Sequence, residues 1–487
     1  MKIKSYFFQS FLIILLATIF FVVIKEFLPK KLFSEKTGTS KNVLIDSMLI
    51  DAFGAVNGNE VPTVGDSLAD QPILFYESNG IIFPQEQFDN YQGNQYLIPF
   101  FEKLYQLENE QKGNVRIAYF GDSMTDGDMI VQDFRTIFQS KYGGKGVGFV
   151  AISSESAASR SSITHEFSEN WKMQSYLNVK YPIRPFGVNG HVFFNNDSIN
   201  SSWVKFSATK RKFSSQLDFP TLFYGKADNT NGEISYKIGK DTLYKKLIPK
   251  NTLNTIVLSQ SSLKSLKVDF RKVKSIPIYG FNFDDGKGVH VDNFSKRGNS
   301  GIPISKFNVA LMQSFQQKLN YDLIVLHYGT NVLNYGTKNY NWYERSMMKA
   351  INRLKACFPG VAILVISTAD KSSKYDMEMK TDSAVVPLSI AQKRFALKTQ
   401  SGFVNLYSLM GGEGSMTKWV EDEPVLANKD YTHFNYRGSR KVADLLSNQL
   451  SKSYETYKTL RKNRKIDSVT ESEPVDSTTI KTVESDE

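Results

Sequence analysis

The stretch Val115 to Phe138, VRIAYFGDSMTDGDMIVQDFRTIF, restricts the possible folds more than any other part of the chain. A short apolar run, Val115–Phe120, stops at Gly121-Asp122-Ser123. An apolar pattern of helical spacing follows, with Met129, Ile130, Phe134 and Ile137 on one face. The pattern predicts a strand, a tight turn and a helix, with a serine on the turn. Such a serine sits at the carboxyl edge of a parallel sheet and at the positive end of a helix. Both features suit a nucleophile whose attack generates an oxyanion. The tripeptide alone says little, and the chain holds a second copy at Val64-Gly65-Asp66-Ser67-Leu68. There the preceding Glu60-Val61-Pro62-Thr63 is too short and Pro-broken for a central strand, and Ala69-Asp70-Gln71-Pro72 starts a helix poorly. Ser67 is expected in a loop, and Ser123 is the candidate.

The 487 residues allow two or three domains, and 41% hydrophobic with 13% aromatic content is enough for real cores. The net charge of +11 suits an anionic cell-wall polymer or a membrane surface. Nucleic acid is not expected as a partner, because the lysines are spread along the chain and no nucleic-acid motif accompanies them. The single cysteine, Cys357, excludes disulfides within the chain and a cysteine-based zinc site; it is expected to be buried.

Tyr6 to Ile24 is apolar except for Gln9, Ser10 and Thr18, long enough to span a bilayer. Lysines flank it on both sides, and no small-x-small cleavage site follows. The expectation is an uncleaved signal anchor over residues 1–31, with a single transmembrane helix over about 6–24 in the inner (cytoplasmic) membrane. The bulk of the chain then lies in the periplasm or otherwise outside the cytoplasm.

Residues 32–95 show no long periodic segment and are expected to be a spacer with short local structure. Tyr96 to Glu110 reads as a helix. The glycines of Tyr142-Gly143-Gly144-Lys145-Gly146-Val147-Gly148 mark a loop held close to other backbone. Between about 160 and 290 short alternating runs appear, among them His191–Asn195, Trp203–Ala208, Thr221–Tyr224, Ile234–Ile238 and Leu266–Phe270. Turn residues separate them, which predicts an all-β sandwich inserted over 161–287. The α/β rhythm resumes from 288 to 458. Helices are expected over Ser305–Leu319, Tyr340–Phe358, Leu388–Lys398 and Gly438–Tyr457, with buried strands Tyr321–Leu326, Val361–Ser367 and Phe403–Leu406. The polar tail, 459–487, is expected to be disordered.

A serine nucleophile needs a base, an orienting acid and oxyanion donors. Of the five histidines, His165, His191, His290, His327 and His433, only His433 has an acid at useful spacing, in Asp430-Tyr431-Thr432-His433. On a turn, that carboxylate can reach imidazole Nδ1 and leave Nε2 facing a serine. The alternative is a helix cap with a surface histidine. His327, ending a strand, reads as a packed histidine. Asn331 lies at the carboxyl end of the same strand, where its amide could donate to an oxyanion or merely form a turn. Gly301, in Arg297-Gly298-Asn299-Ser300-Gly301, could bring a backbone N–H close to a substrate. Asp126 and Asp128 read as charges at a helix start rather than metal ligands, since no histidine lies at ligand spacing. No metal and no cofactor are expected.

In the order Ser123, Gly301, Asn331, Asp430 and His433, each at a strand-to-loop junction, the chain resembles the SGNH (GDSL-type) hydrolases. The resemblance implies a flavodoxin-like α/β/α sandwich over 96–160 and 288–458. It implies Ser123 as nucleophile, His433 as base and Asp430 as its orienter. It further implies an oxyanion hole of the Ser123 N–H, the Gly301 N–H and the Asn331 amide. Met124 replaces the family's usual leucine, and Val332 replaces the aspartate that commonly follows the asparagine. The inserted β domain resembles the carbohydrate-binding-like insert of bacterial peptidoglycan O-acetylesterases and O-acetyltransferases. The implied activity is removal of O-acetyl groups from a cell-wall or surface polysaccharide through an acetyl-enzyme. One alternative is an O-acetyltransferase using the same triad with a membrane-bound acyltransferase partner. The other is a non-catalytic glycan-binding or assembly protein.

Overall fold

The apolar runs around Ser123 and after residue 288 assemble into one sheet. In the computed structural model, residues 11–20, 46–57, 77–78, 81–82, 91–111, 113–195, 201–335 and 338–463 are described. The strands are β1 (Tyr91–Gln92), β2 (Asn114–Gly121), β3 (Gly288–Asn293), β4 (Leu323–His327), β5 (Ala362–Ile366) and β6 (Gly402–Val404). Their spatial order is β3-β2-β4-β5-β6-β1. All neighbours are parallel except β1, which pairs antiparallel with β6 at the edge. The parallel part has the flavodoxin-like order 2-1-3-4-5, as expected, and ligands of such sheets bind beyond the carboxyl ends of the strands.

Both faces of the sheet are covered, and residues alternate between two cores as the strand period requires. Val115, Ile117, Tyr119, Leu323, Val325 and Leu364 point to the face carrying helices α2 (Ile98–Glu110), α3 (Val131–Tyr142) and α7 (Tyr436–Lys462). Ala118, Phe120, Ile324, Leu326 and Val365 point to the face carrying α4 (Val309–Leu319), α5 (Asn341–Cys357) and α6 (Val385–Lys398). Cys357 is free and buried on α5, as its apolar surroundings in the sequence suggest.

Two expectations are corrected here. The segment read as a spacer contains a helix, α1 (Ser47–Asn57). Asp46 caps it by accepting from the N–H groups of Met48 and Leu49, and Leu49 is buried in the core beside α5. Phe53 packs on Tyr335 and Trp342. The last helix runs to Lys462, past the expected end at Tyr457, because Arg461 is held by Glu102 of α2.

The insert is an antiparallel sandwich. One sheet holds Thr221–Gly225, Ile278–Phe283, His191–Asn195, Trp171–Ser175 and Leu253–Val257; the other holds Glu233–Ile238, Ser265–Arg271, Ser202–Ser207, Thr164–Phe167 and Asp241–Lys246. It begins earlier than the expected residue 161, because Gly148–Val150 pairs with Ile278–Phe283. The glycine loop before that strand is held as close as its composition implies. At Gly146 (φ 98°) a Cβ would lie 2.1 Å from the Phe283 carbonyl oxygen, a position only glycine fills. The insert does not hang free. Phe149, Phe223 and Tyr279 pack on Phe315 of α4, with the Phe223 and Phe315 rings stacked 5.8 Å apart.

The chain divides into two units, Met1–Val43 and Leu44–Glu487. In the first unit residues 11–20 are helical, and the rest of the 6–24 span lies outside the described residues. Among the described residues no helix is long and apolar enough to cross a membrane. Ser67 and residues 464–487 also lie outside the described residues.

Candidate active site

Ser123 stands on the turn leaving β2, at the carboxyl edge of the sheet. The turn folds tightly onto itself: a Cβ on Gly121 would lie 2.1 Å from Thr125 Oγ1. Asp122 Oδ1 accepts the Met124 N–H at 2.9 Å, and burial pushes the Asp122 carboxyl up to about 6. Ser123 is on a turn as expected, but the helix does not follow it directly. A 3₁₀ turn, Asp126–Asp128, intervenes, and α3 begins only at Val131. The reason is conformational: Gly127, Asp128 and Ile130 all have positive φ. Asp128 is not a helix-start charge either. It is fully buried and paired with Arg135 at 2.8 Å and Arg160 at 3.5 Å, which fixes the loop against α3. Asp126 accepts from Ser156 and pairs with Arg297.

The loop before α7 brings Asp430 and His433 to Ser123. His433 Nε2 lies 2.9 Å from Ser123 Oγ, and His433 Nδ1 lies 2.8 Å from Asp430 Oδ2. Asp430 Oδ1 also accepts the backbone N–H groups of Thr432 and His433, at 3.1 and 3.0 Å. These bonds close the turn locally and need no distant partner. Burial alone would raise the Asp430 carboxyl, but the bonds from the His433 ring and backbone outweigh it and hold it at about 2. A carboxylate there fixes the tautomer with the proton on Nδ1, leaving Nε2 to accept the serine hydroxyl proton. The helix-cap alternative does not hold, since Asn435 caps α7 by accepting from Arg437 and Gly438. Asp430 and His433 are open to solvent, with side chains 49% and 37% exposed.

Asn331 sits past the end of β4, in the short helix Thr330–Leu333. Its Nδ2 donates to the Asn299 carbonyl at 3.0 Å, which orients the amide and leaves its second N–H. Gly301 does not take the expected part. Its N–H is buried and donates to Asn299 Oδ1 at 3.0 Å, so it has nothing to offer an oxyanion. Gly298, on the same loop with φ 75°, is half-buried. Among the described residues, the N–H groups of Gly298 and Ser123 donate to no protein acceptor.

The other histidines stay away from this chemistry. His327 is buried against the Tyr119 hydroxyl at 2.9 Å, and burial pushes its imidazole down to about 3. His165 bonds the Ile152 carbonyl, and His191 and His290 are buried. Among the described residues no group of His, Cys, Asp and Glu could hold a metal ion.

Sequence reading missed the supports of the Asn299–Gly301 loop. Asp46 accepts from Ser300, and Asn299 Nδ2 donates to the hydroxyls of Tyr176 and Tyr328. The one available signal was Asp46-Ser47 ahead of Met48-Leu49-Ile50, a helix start.

No family model matches the chain, and no curated protein matches it. Solved structures do. A peptidoglycan O-acetylesterase superposes with a TM-score of 0.60 at 20% identity, covering 74% of this chain and 96% of that one. An acetyl xylan esterase matches with a TM-score of 0.26 at 18% identity, covering 33% of this chain and 81% of that one. A carbohydrate esterase family 2 enzyme plus carbohydrate binding domain from Corynascus thermopiles (Myceliophthora fergusii) matches with a TM-score of 0.25 at 11% identity, covering 60% of this chain and 99% of that one. Only the first superposition carries weight, and what it establishes is the fold. The chain shares the fold of that peptidoglycan O-acetylesterase.

Proposed function

We propose that this chain is a serine esterase that removes O-acetyl groups from a cell-wall or surface polysaccharide, with peptidoglycan as the first polymer to test. The observation that carries the reading is the continuous chain of contacts from Ser123 Oγ through His433 to Asp430, at 2.9 and 2.8 Å. The fold shared with a peptidoglycan O-acetylesterase supports the substrate class. The exposed site suits a polymer and admits water, and the net charge of +11 suits an anionic wall.

In this reading Ser123 Oγ attacks the acetyl carbonyl carbon while its proton passes to His433 Nε2. The N–H groups of Ser123 and Gly298 and the free N–H of Asn331 receive the oxyanion. Gly298 takes the place that the family pattern suggested for Gly301. One such donor is typically worth about 10²–10³ in rate. The tetrahedral intermediate collapses, the sugar oxygen leaves with the proton from His433, and an acetyl-enzyme remains. Water then loses a proton to His433 and attacks the acetyl carbonyl, and acetate leaves as Ser123 Oγ takes that proton back from His433. Asp430 keeps the imidazole oriented through both halves. The apolar N-terminal stretch would anchor the enzyme, with its site outside the cytoplasm.

The test uses the full-length chain in detergent with p-nitrophenyl acetate and O-acetylated peptidoglycan, measuring acetate. Ser123→Ala is expected to lose about 10⁴-fold or more in kcat, while Ser67→Ala is unchanged. Acetate release that survives Ser123→Ala would sink the reading. A parent enzyme that moves acetyl groups onto a glycan faster than it hydrolyses them would make it a transferase with the same residues.

A further inference from the structure

The loop that orients Asn331 is gripped from behind by the N-terminal segment. A single peptide unit, Asn299–Ser300, is used on both sides. Its carbonyl accepts from Asn331 Nδ2 at 3.0 Å, and its N–H donates to Asp46 Oδ2 at 2.9 Å. The Ser300 hydroxyl donates to the same Asp46 oxygen. Asp46 Oδ1 meanwhile caps α1 through Met48 and Leu49. The carboxylate is 2% exposed, and Ser300 and Asn299 are wholly buried. No water competes for these bonds, and a charged acceptor on one side of a peptide polarises the carbonyl on the other. Tyr343 of α5 donates to the Ser300 carbonyl at 2.8 Å, so the next peptide is held as well. Helix α1 keeps Asp46 in place by burying Leu49 and packing Phe53 edge-on against Trp342.

We infer that Asp46 is a positioning residue for the reaction, acting through Ser300 and Asn299 to aim the Asn331 amide, so that helix α1 is part of the machinery rather than a linker. The inference rests on the esterase reading for its kinetic consequence. Its structural content is independent: without Asp46 the Ser300 donors are buried and unpaired, and the loop must loosen to find water.

Asp46→Asn separates this role from helix capping. Asparagine caps a helix as well as aspartate, so α1 survives. Its amide nitrogen, however, meets the Ser300 donors with donors of its own. In the full-length chain, kcat on p-nitrophenyl acetate is expected to fall about 10- to 100-fold with KM within about twofold. Ser300→Ala keeps the N–H bond and should lose only about threefold to tenfold. Ser314→Ala, which removes only a bond to the Ala310 carbonyl within α4, should leave kcat unchanged. Hydrogen exchange of the amides over 297–302 is expected to rise about tenfold or more in Asp46→Asn. Should Asp46→Asn fail to fold, Ser300→Ala supplies the same two readouts. Unchanged exchange overturns the inference whether or not the parent turns over. Faster exchange with an unchanged kcat overturns it too. A parent with no Ser123-dependent turnover would instead sink the esterase reading, leaving the exchange result to judge the grip of Asp46.

Discussion

Two carboxylate clusters in this protein are built from the same chemistry and do opposite things. Asp430 and His433 lie three residues apart, partly exposed, on one closed turn. The other cluster centres on Arg116 of β2. Its guanidinium holds Asp292 at 2.9 Å, Asp284 at 2.6 Å and Asn282, across sequence separations of 176, 168 and 166 residues. The Tyr321 hydroxyl donates to Asp292 at 2.6 Å, and the Phe149 N–H donates to the same carboxylate. Arg116 and Asp292 are almost completely buried. Asn282 and Asp284 end the insert's strand, so this cluster fastens the sandwich to the central sheet. A solvated pair costs little to form and is free to exchange protons with a substrate. A buried, fully bonded cluster is a joint whose value shows when one member is removed.

Three further experiments bear on that contrast. Asp430→Asn should lower kcat by about 10²–10⁴-fold, because the imidazole loses its orienting acceptor, while unfolding free energy changes by less than about 1 kcal/mol. Steady-state kinetics beside urea denaturation measures both. Arg116→Met should do the reverse. It strands Asp284 and Asp292 in the interior and is expected to cost on the order of 3–5 kcal/mol of stability, with kcat per folded molecule unchanged. A comparable stability loss in both variants would erase the distinction.

The smallest effect is in pH. The Asp430 carboxyl is held at about 2, and Asp284 well below the ordinary carboxylate range: burial opposes this, but the Arg116 charge outweighs it. Their stabilisation is complete above the unfolded value near 4 and is lost as pH falls toward their folded values. Asp122 has the opposite sign. Burial raises it to about 6, so the folded state holds its proton more tightly and stability declines as pH rises from about 4 through 6. Asp122→Asn should remove on the order of 2 kcal/mol of that decline in unfolding curves taken between pH 4 and 7. An unchanged pH slope would show that Asp122 is not buried as a carboxyl.

The parts legible from the chain are those whose cause is local. The strands β4 and β5 are continuous apolar runs, and the sandwich strand His191–Asn195 lies where alternation places it. The Asp430-x-x-His433 turn closes on itself, so its spacing sufficed. Errors arise where distant packing overrides local pattern. Met129 and Ile130 have helical spacing after Ser123, yet the Arg135 and Arg160 charges hold Asp128 in a conformation that delays the helix to Val131. Gly301 fitted the family order, but Asn299 consumes its N–H. Helix α1 was hidden because one buried leucine and a cap stabilise it only against α5.

By itself, then, the sequence determined most of the strands and helices of the α/β domain, that a β domain interrupts it, and that Ser123, Asp430 and His433 are the residues to watch. Those properties follow from periodicity and from contacts a few residues long. Only the tertiary structure decided that Ser123 lies within hydrogen-bond reach of His433, that Asn331 is turned by Asn299, and that Asp46 grips Ser300 from 254 residues away. Each of these depends on which buried donor finds which acceptor once the sheet has closed, and a linear pattern carries no record of that pairing.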